Sequence, residues 1–196
     1  SFERPRPLKT FKENRLKKVM VVVHGDVDER NDENSVIKEM VNRGIKAIGG
    51  MDKLVSRGDN VVIKPNIAWD RKPEYAVNTN PFVVAALVGM CLEAGANRVK
   101  VFDHTCASNP DTSYTNSGIE KAAKEAGAVV RFVDKGLFKN IKIPDGKVLD
   151  SWTFYEELIY QDETDVLINV PIAKQHSASR LSMALKNTLG MVGGNR

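Results

Sequence analysis

The sequence predicts an α/β fold: an open, mostly parallel, Rossmann-like sheet with helices on both faces and a small inserted antiparallel hairpin. Three observations carry this reading. Short β-branched apolar runs recur at residues 19–23, 61–63, 98–102, 129–133 and 166–168. Segments with helical spacing or helix-start signals separate most of them, and alternation at these lengths favours parallel strands joined by right-handed crossovers. The alternation breaks once, between residues 139 and 160, where a turn signal sits between two strand-like arms. The division expected is a basic leader over 1–18 and one α/β domain over 19–196, with the insertion at about 137–160.

The elements follow in order. Val19-Met20-Val21-Val22-Val23 reads as a buried strand, and residues 34–48 carry Val36, Ile37, Met40, Val41, Ile45 and Ile48 at helical intervals until Gly49-Gly50 stops them. Val61-Val62-Ile63 is the second strand and runs into Lys64-Pro65-Asn66. Residues 67–78 mix Trp69, charges and a proline without a periodic stripe, which predicts a long loop. Asn80 then caps a helix with Pro81 in its first turn, continuing through 84–92 to Gly95.

Residues 98–102 form the third strand, ending in Asp103-His104-Thr105. A second polar loop is predicted through Asn109, Pro110, Asp111 and Tyr114. Ser117 and Glu120 have the spacing of a capping box opening a helix to Gly127, and 129–133 is the fourth strand. In the insertion, Ile141 and Ile143 alternate with polar residues, Pro144-Asp145-Gly146 is a turn, and 148–154 returns. Val166-Leu167-Ile168 resumes the main pattern, and a helix over about 179–191 closes the segment.

Composition narrows the function classes. Of 196 residues, 42% are hydrophobic and 28% charged, an ordinary globular balance, and 29 Lys and Arg against 25 Asp and Glu give +4. That excess is too small and too evenly spread to make nucleic acid a partner. The clustered Arg4, Arg6, Lys9, Lys12, Arg15, Lys17 and Lys18 sit among prolines and polar residues and read as a solvated leader. No window approaches the roughly 18 apolar residues of a membrane span. Ser1 stands first rather than Met, so the N-terminus is trimmed, processed or engineered, and the compartment stays open between cytoplasm and a periplasmic location with its export signal removed. Cys91 falls in an apolar run and Cys106 in a polar loop, without a Cys-x-x-Cys pair. No zinc knuckle or iron–sulfur cluster is expected from these cysteines, and no disulfide between them. The phosphate-binding loop of Walker ATPases, the dinucleotide fingerprint and the nucleophile elbow of serine hydrolases are all missing from the sequence.

Candidate function comes from the strand exits. In a parallel sheet the carboxyl ends share one edge, which predicts that Lys64 and Asn66, Asp103 and His104, and Asn169, Lys174 and His176 approach a common crevice, with Lys186 and Asn187 following on the last helix. Pro65 and Pro171 stiffen the exits that carry the lysines. Ammonium groups beside amides suit a carboxylate or phosphate, whereas Asp103, His104 and His176 suit proton transfer or a divalent metal of unspecified identity. The candidates are therefore Lys174, His176 and Asp103 for catalysis, and Lys64, Asn66, His104, Asn169, Lys186 and Asn187 for ligand binding. Each has a plainer reading. A lysine at a strand end is commonly a solvated turn residue, and a helix placing Ser179, Ser182 and Lys186 on one face and Leu181, Leu185 and Leu189 on another is ordinary amphipathic packing. Trp69 and Trp152 read as loop anchors or core plugs. Lys64→Ala and Lys174→Ala are expected to leave the fold intact, because strand-end charges bury little apolar area.

Several stretches, taken together and in order, resemble one family. They are Gly58-Asp59-Asn60-Val61-Val62-Ile63-Lys64-Pro65-Asn66, Asn78-Thr79-Asn80-Pro81, Glu93-Ala94-Gly95-Ala96, Pro171-Ile172-Ala173-Lys174-Gln175-His176, and Ala184-Leu185-Lys186-Asn187 with Gly190. The family they resemble is that catalogued as domain of unknown function 362, over about residues 19–196. The resemblance implies an α/β domain of prokaryotic type, often found in proteins that also carry ferredoxin-like iron–sulfur modules or an export signal. It implies no particular reaction. It also implies an incomplete chain, with a C-terminal part beyond Arg196 that supplies some of the crevice. Three functions follow as alternatives: an enzyme acting on a small anion, an accessory module working with an iron–sulfur protein or domain, and a binding protein without chemistry.

Overall fold

A computed structural model describes residues 20–26, 32–155 and 164–194. Its centre is a four-stranded parallel sheet of β1 (Asn60–Pro65), β2 (Arg98–Val101), β3 (Val129–Val130) and β6 (Val166–Val170), ordered β3-β2-β1-β6. The chain steps outward from β1 to β2 to β3 and then returns to the other side of β1. Strand order therefore reverses between β1 and β6, with Lys64 opposite Asn169 and Pro65 opposite Val170 at the carboxyl end. That reversal opens a crevice in sheets of this kind.

Alternation along the strands builds two cores. Val61, Ile63, Val99 and Val101 face one side, where α2 (Pro81–Glu93) and α4 (Ile119–Glu125) pack through Val84, Leu87, Val88, Cys91, Ile119 and Ala123, with Val41 and Ile45 of α1 (Glu33–Ala47) at the margin. Val62 and Phe102 face the other side and meet Tyr155 and Met191. Met191 comes from the 3-10 turn Thr188–Met191, so helical segments lie on both faces. Tyr155 belongs to an antiparallel hairpin of β4 (Phe138–Lys142) and β5 (Ser151–Tyr155). Its ring stacks on Phe102 at 5.1 Å and meets Phe138 edge-on at 5.4 Å. The inserted hairpin is thus the apolar cover of that face, turned by Asp145 at φ 58°. Its second arm is tied to the chain's end by Gly193 N–H donating to the Thr153 carbonyl at 2.9 Å and Trp152 Nε1–H donating to the Gly193 carbonyl at 3.1 Å.

Helix-start chemistry works as expected at α2, where Asn80 Oδ1 accepts from Phe82 N–H at 2.8 Å with Pro81 at the first position. The same Asn-Pro signal at Asn109 and Pro110 opens α3 (Pro110–Asn116), a helix where a loop was expected. Ser117 and Glu120 do not form a capping box. Gly118, at φ 72°, heads α4, while the Glu120 carboxylate accepts from Lys124 Nζ at 2.6 Å and Thr115 Oγ1 at 3.1 Å.

Three further expectations are corrected. Residues 20–23 form no strand, and Met20 and Val22 are 89% and 81% exposed. This segment runs along α1, where Gly25 lies so close to Met40 that an added Cβ would sit 2.6 Å from its sulfur, and no ladder hydrogen bonds form. The fourth strand shrinks to Val129–Val130 at the sheet edge. The predicted helix over 179–191 is instead a two-stranded ribbon of β7 (Lys174–His176) and β8 (Arg180–Ser182), then one turn, α5 (Ala184–Asn187), and the 3-10 turn. Arg180 sits at φ 63°, which a right-handed helix does not allow, and Met183 is fully extended at φ −147°. The leucine stripe is accordingly not a core face: Leu181, Leu185 and Leu189 are all exposed.

Both cysteines are free, Cys91 buried in α2 and Cys106 exposed, and burial pushes the Cys91 thiol up to about 12. Among the described residues, no helix is long and apolar enough to cross a membrane.

Candidate functional site

The sequence Val61-Val62-Ile63 is apolar on both faces because β1 is central, and Lys64 follows it while the strand is still covered. Lys64 is therefore wholly buried. An ammonium group survives in such a place only with compensation. Its Nζ lies 2.6 Å from Asp103 Oδ1 and donates to the Pro65 carbonyl at 3.0 Å and to Asn187 Oδ1 at 3.2 Å. Asp103, at the end of the neighbouring β2, spends its other oxygen on Ile67 N–H at 2.7 Å. Its backbone is held by Tyr114 of α3, whose hydroxyl lies 2.6 Å from the Asp103 amide and carbonyl, and burial pushes that phenol up.

Asn187 knits the strand ends together. Its Nδ2 donates to the Lys64 and Pro65 carbonyls at 3.3 and 3.4 Å and to Asn169 Oδ1 at 2.7 Å, and its Oδ1 also accepts from Asn66 Nδ2 at 3.2 Å. Asn169 Nδ2 in turn donates to the Ala184 carbonyl at 2.8 Å. Asn66 is fixed from three sides: Thr79 Oγ1 accepts its N–H at 2.8 Å and donates to the Val170 carbonyl at 2.7 Å, while Lys174 Nζ donates to its Oδ1 at 2.8 Å. Lys174 also donates to the Val77 carbonyl at 2.5 Å. Lys64, Asn66, Thr79, Asp103, Asn169, Lys174 and Asn187 thus form one polar network at the β1–β6 reversal.

The network borders a crevice of about 950 Å³, lined among others by His104, Thr105, Cys106, Lys135, Phe138 and Lys186. A smaller cavity of about 80 Å³ adjoins it between the 66–69 loop and the β7–β8 ribbon. Asn66, Ala68, Cys106, Lys186 and Asn187 line both. Asp103 is the one carboxylate lining either space among the described residues, against the ammonium groups of Lys64, Lys135, Lys174 and Lys186. Burial holds the Lys174 ammonium below the usual lysine range. Cys106 and Asp103 work against that shift, and the charge of Lys186 adds to it.

Of the residues expected at the site, Lys64, Asn66, Asp103, Asn169, Lys174 and Asn187 converge, and His104 and Lys186 line the crevice beside them. His104 packs its ring against Phe138 of the hairpin at 5.5 Å. His176, on β7, lines the smaller cavity with Lys174 but not the large crevice. Its Nδ1 accepts from Ala178 and Ser179 N–H at 3.2 and 3.3 Å, which shapes the ribbon turn and leaves the proton of the neutral ring on Nε2. Asp103 and His176 do not share a site wall, and no group of three His, Cys, Asp or Glu side chains that could hold a metal occurs among the described residues.

Sequence reasoning missed several participants. Gly190 packs its Cα face on the ion pair, so that a Cβ there would lie 2.1 Å from Asp103 Oδ1 and 2.7 Å from Lys64 Nζ. Asn78 organises the 66–78 loop by accepting from Ala68 and Trp69 N–H at 3.0 and 3.1 Å and donating to the Trp69 carbonyl at 2.8 Å. Ser182 ends β8 at the small cavity, buried. The Asn78-Thr79-Asn80-Pro81 tract was a visible signal for the second of these; Gly190 stands in the sequence only as part of the family resemblance and Ser182 only on the helix face shared with Lys186, and neither was expected at the site.

Comparison with known proteins gives one family and one distant relative. The family described as a domain of unknown function (DUF362) matches residues 61–196, which include every residue of the network. A thylakoid-associated protein of Synechocystis sp. is 25% identical over 156 residues, covering 76% of this chain and 44% of that protein. The chain therefore spans less than half the length of that relative. No solved structure matches.

Proposed function

The chain belongs to the family described as a domain of unknown function (DUF362), and we propose that its strand-end crevice binds a small anionic molecule through a carboxylate or phosphate group. One observation carries the reading. Lys186 is half-buried, lines both the crevice and the adjoining cavity, and its ammonium group makes no hydrogen bond or ion pair among the described residues. The one nearby carboxylate, Asp103, is already held by Lys64 at 2.6 Å and by Ile67 N–H at 2.7 Å. An ammonium group left without a counter-charge beside a second lysine is a site for an incoming anion. In this reading Lys186 and Lys174 meet the ligand. Lys64, Asp103, Asn187 and Asn169 hold the walls still, which limits the ordering that binding must complete.

The test is thermal unfolding of the 196-residue chain with inorganic phosphate, acetate and sulfate, for wild type and Lys186→Gln. At a hundredfold excess over its dissociation constant a ligand adds about 2.7 kcal/mol to stability, several degrees in melting temperature. The expected result is stabilisation by one class of oxyanion that Lys186→Gln abolishes without changing the ligand-free melting temperature. If no oxyanion stabilises the wild type, the reading falls, and a protein partner such as an iron–sulfur module becomes the alternative to pursue.

A further inference from the structure

We propose that the small cavity between the 66–69 loop and the β7–β8 ribbon is a dedicated oxyanion subsite, so that the ligand is an organic acid or phosphate ester. Its charged head enters this cavity and its body lies in the large crevice. The proposal rests on the anion-binding reading above and assigns the anion a place within it. Ser182 is the first support. The residue borders the cavity, is 6% exposed, and its hydroxyl oxygen is buried with no hydrogen-bond partner among the described residues. A buried hydroxyl is costly to leave unpaired, so an unpaired one on a residue that borders a cavity marks the place of a group that supplies the partner.

The surrounding chemistry is one-sided. Lys174 has three protons and gives two of them to Asn66 Oδ1 and the Val77 carbonyl, which leaves one to offer. Lys186 offers its own, and the His176 ring, with Nδ1 occupied by backbone amides, presents Nε2–H. The amide oxygens nearest the cavity are taken, Asn66 Oδ1 by Lys174 and Asn187 Oδ1 by Lys64 and Asn66. Such a wall accepts an oxyanion and rejects cations and neutral hydrogen-bond donors.

Size gives the class of ligand. About 80 Å³ corresponds to roughly two or three waters at about 30 Å³ each, enough for one carboxylate or phosphate group and too small for a ring. The adjoining crevice of about 950 Å³ is at the upper end of the range that holds whole small molecules, roughly 300–1,000 Å³. The two spaces share Cys106 and Lys186 along their border, so a single molecule reaches from one to the other.

The experiment is calorimetric titration of wild type, Ser182→Ala and Lys135→Gln with four probes: inorganic phosphate, phenyl phosphate, acetate and phenylacetate. Lys135 lines only the large crevice and serves as the contrast. The expected result is that the phosphate pair or the carboxylate pair binds, with the phenyl-bearing member tighter than the bare ion. Ser182→Ala should weaken the bare ion about tenfold while its ligand-free melting temperature stays level or rises, because an unpaired buried hydroxyl has gone. A merely structural Ser182 would leave binding unchanged. If the bare ion binds Ser182→Ala as well as wild type but loses affinity in Lys135→Gln, the head lies in the large crevice; the subsite is then wrong and the anion-binding reading stands. If no probe binds the wild type, both are wrong.

Discussion

Lys64→Ala removes an ammonium group that is wholly buried and 2.6 Å from a carboxylate that is itself buried. Deleting one member of such a pair strands the other charge, and comparable deletions cost roughly 3–5 kcal/mol. Against a total stability of roughly 5–15 kcal/mol for a domain, that is a third or more in most of the range. The bonds to the Pro65 carbonyl and Asn187 Oδ1 disappear in the same event and belong to the same figure. This reverses the expectation drawn from a strand-end lysine, because Lys64 leaves the strand inside the protein rather than at its surface. Urea unfolding followed by circular dichroism reads the change. With a slope of about 1–3 kcal/mol per molar urea, the midpoint should fall by a molar unit or more. The partner experiment is Lys64→Met combined with Asp103→Asn, in which the amide oxygen keeps the Ile67 N–H acceptor without the charge. The double variant should be more stable than the sum of the two single losses implies, by about 0.5–3 kcal/mol. A Lys64→Ala loss below about 1 kcal/mol, or strictly additive losses in the cycle, would refute the account of Lys64 and Asp103 as a buried pair.

Two other expectations follow from the same geometry. Gly190→Ala should destabilise by about 1–3 kcal/mol or more in thermal unfolding, since its Cβ would fall 2.1 Å from Asp103 Oδ1 and the buried ion pair has little room to retreat; a neutral substitution would show that the 188–191 turn yields freely. The Lys174 ammonium, held below 10.5 by burial and by Lys186, binds its proton less readily in the folded than in the unfolded chain. Between its lowered value and 10.5 the unfolded state carries more protons, so stability should rise with pH there for wild type and not for Lys174→Gln; urea midpoints at several pH values across that interval check the slope.

Much of this architecture is legible without coordinates, and the reason is local. Strand β1 follows from three consecutive β-branched residues, α2 from Asn80 and Pro81 ahead of an apolar run, and the hairpin from Pro144-Asp145-Gly146 between two strand-like arms. The convergence of Lys64, Asn66, Asp103, Asn169, Lys174 and Asn187 was also predictable, because parallel strands bring their carboxyl ends to one edge whatever separates them in sequence. Failures fall where local pattern and tertiary partner disagree. Val19 to Val23 has the composition of a strand, yet its described residues have no sheet neighbour to complete their hydrogen bonds. The Leu181, Leu185 and Leu189 spacing matches a helix, but Arg180 at positive φ and the paired β7 and β8 take the segment elsewhere.

What the sequence determined by itself is therefore the fold class, the central strands, the capped helix after the 67–78 loop, and the edge at which polar residues gather, since each rests on propensity, turn chemistry or periodicity within a few residues. Tertiary structure alone decided how those polar residues divide their work. Lys64 and Lys174 look alike as lysines at strand exits, but one is sealed against Asp103 beneath Gly190 and the other, held by Asn66 and the Val77 carbonyl, borders the small cavity. Burial and hydrogen-bond partners arise from contacts between residues far apart in sequence, such as Lys64 with Asn187 and Lys174 with Asn66, and no local pattern encodes them.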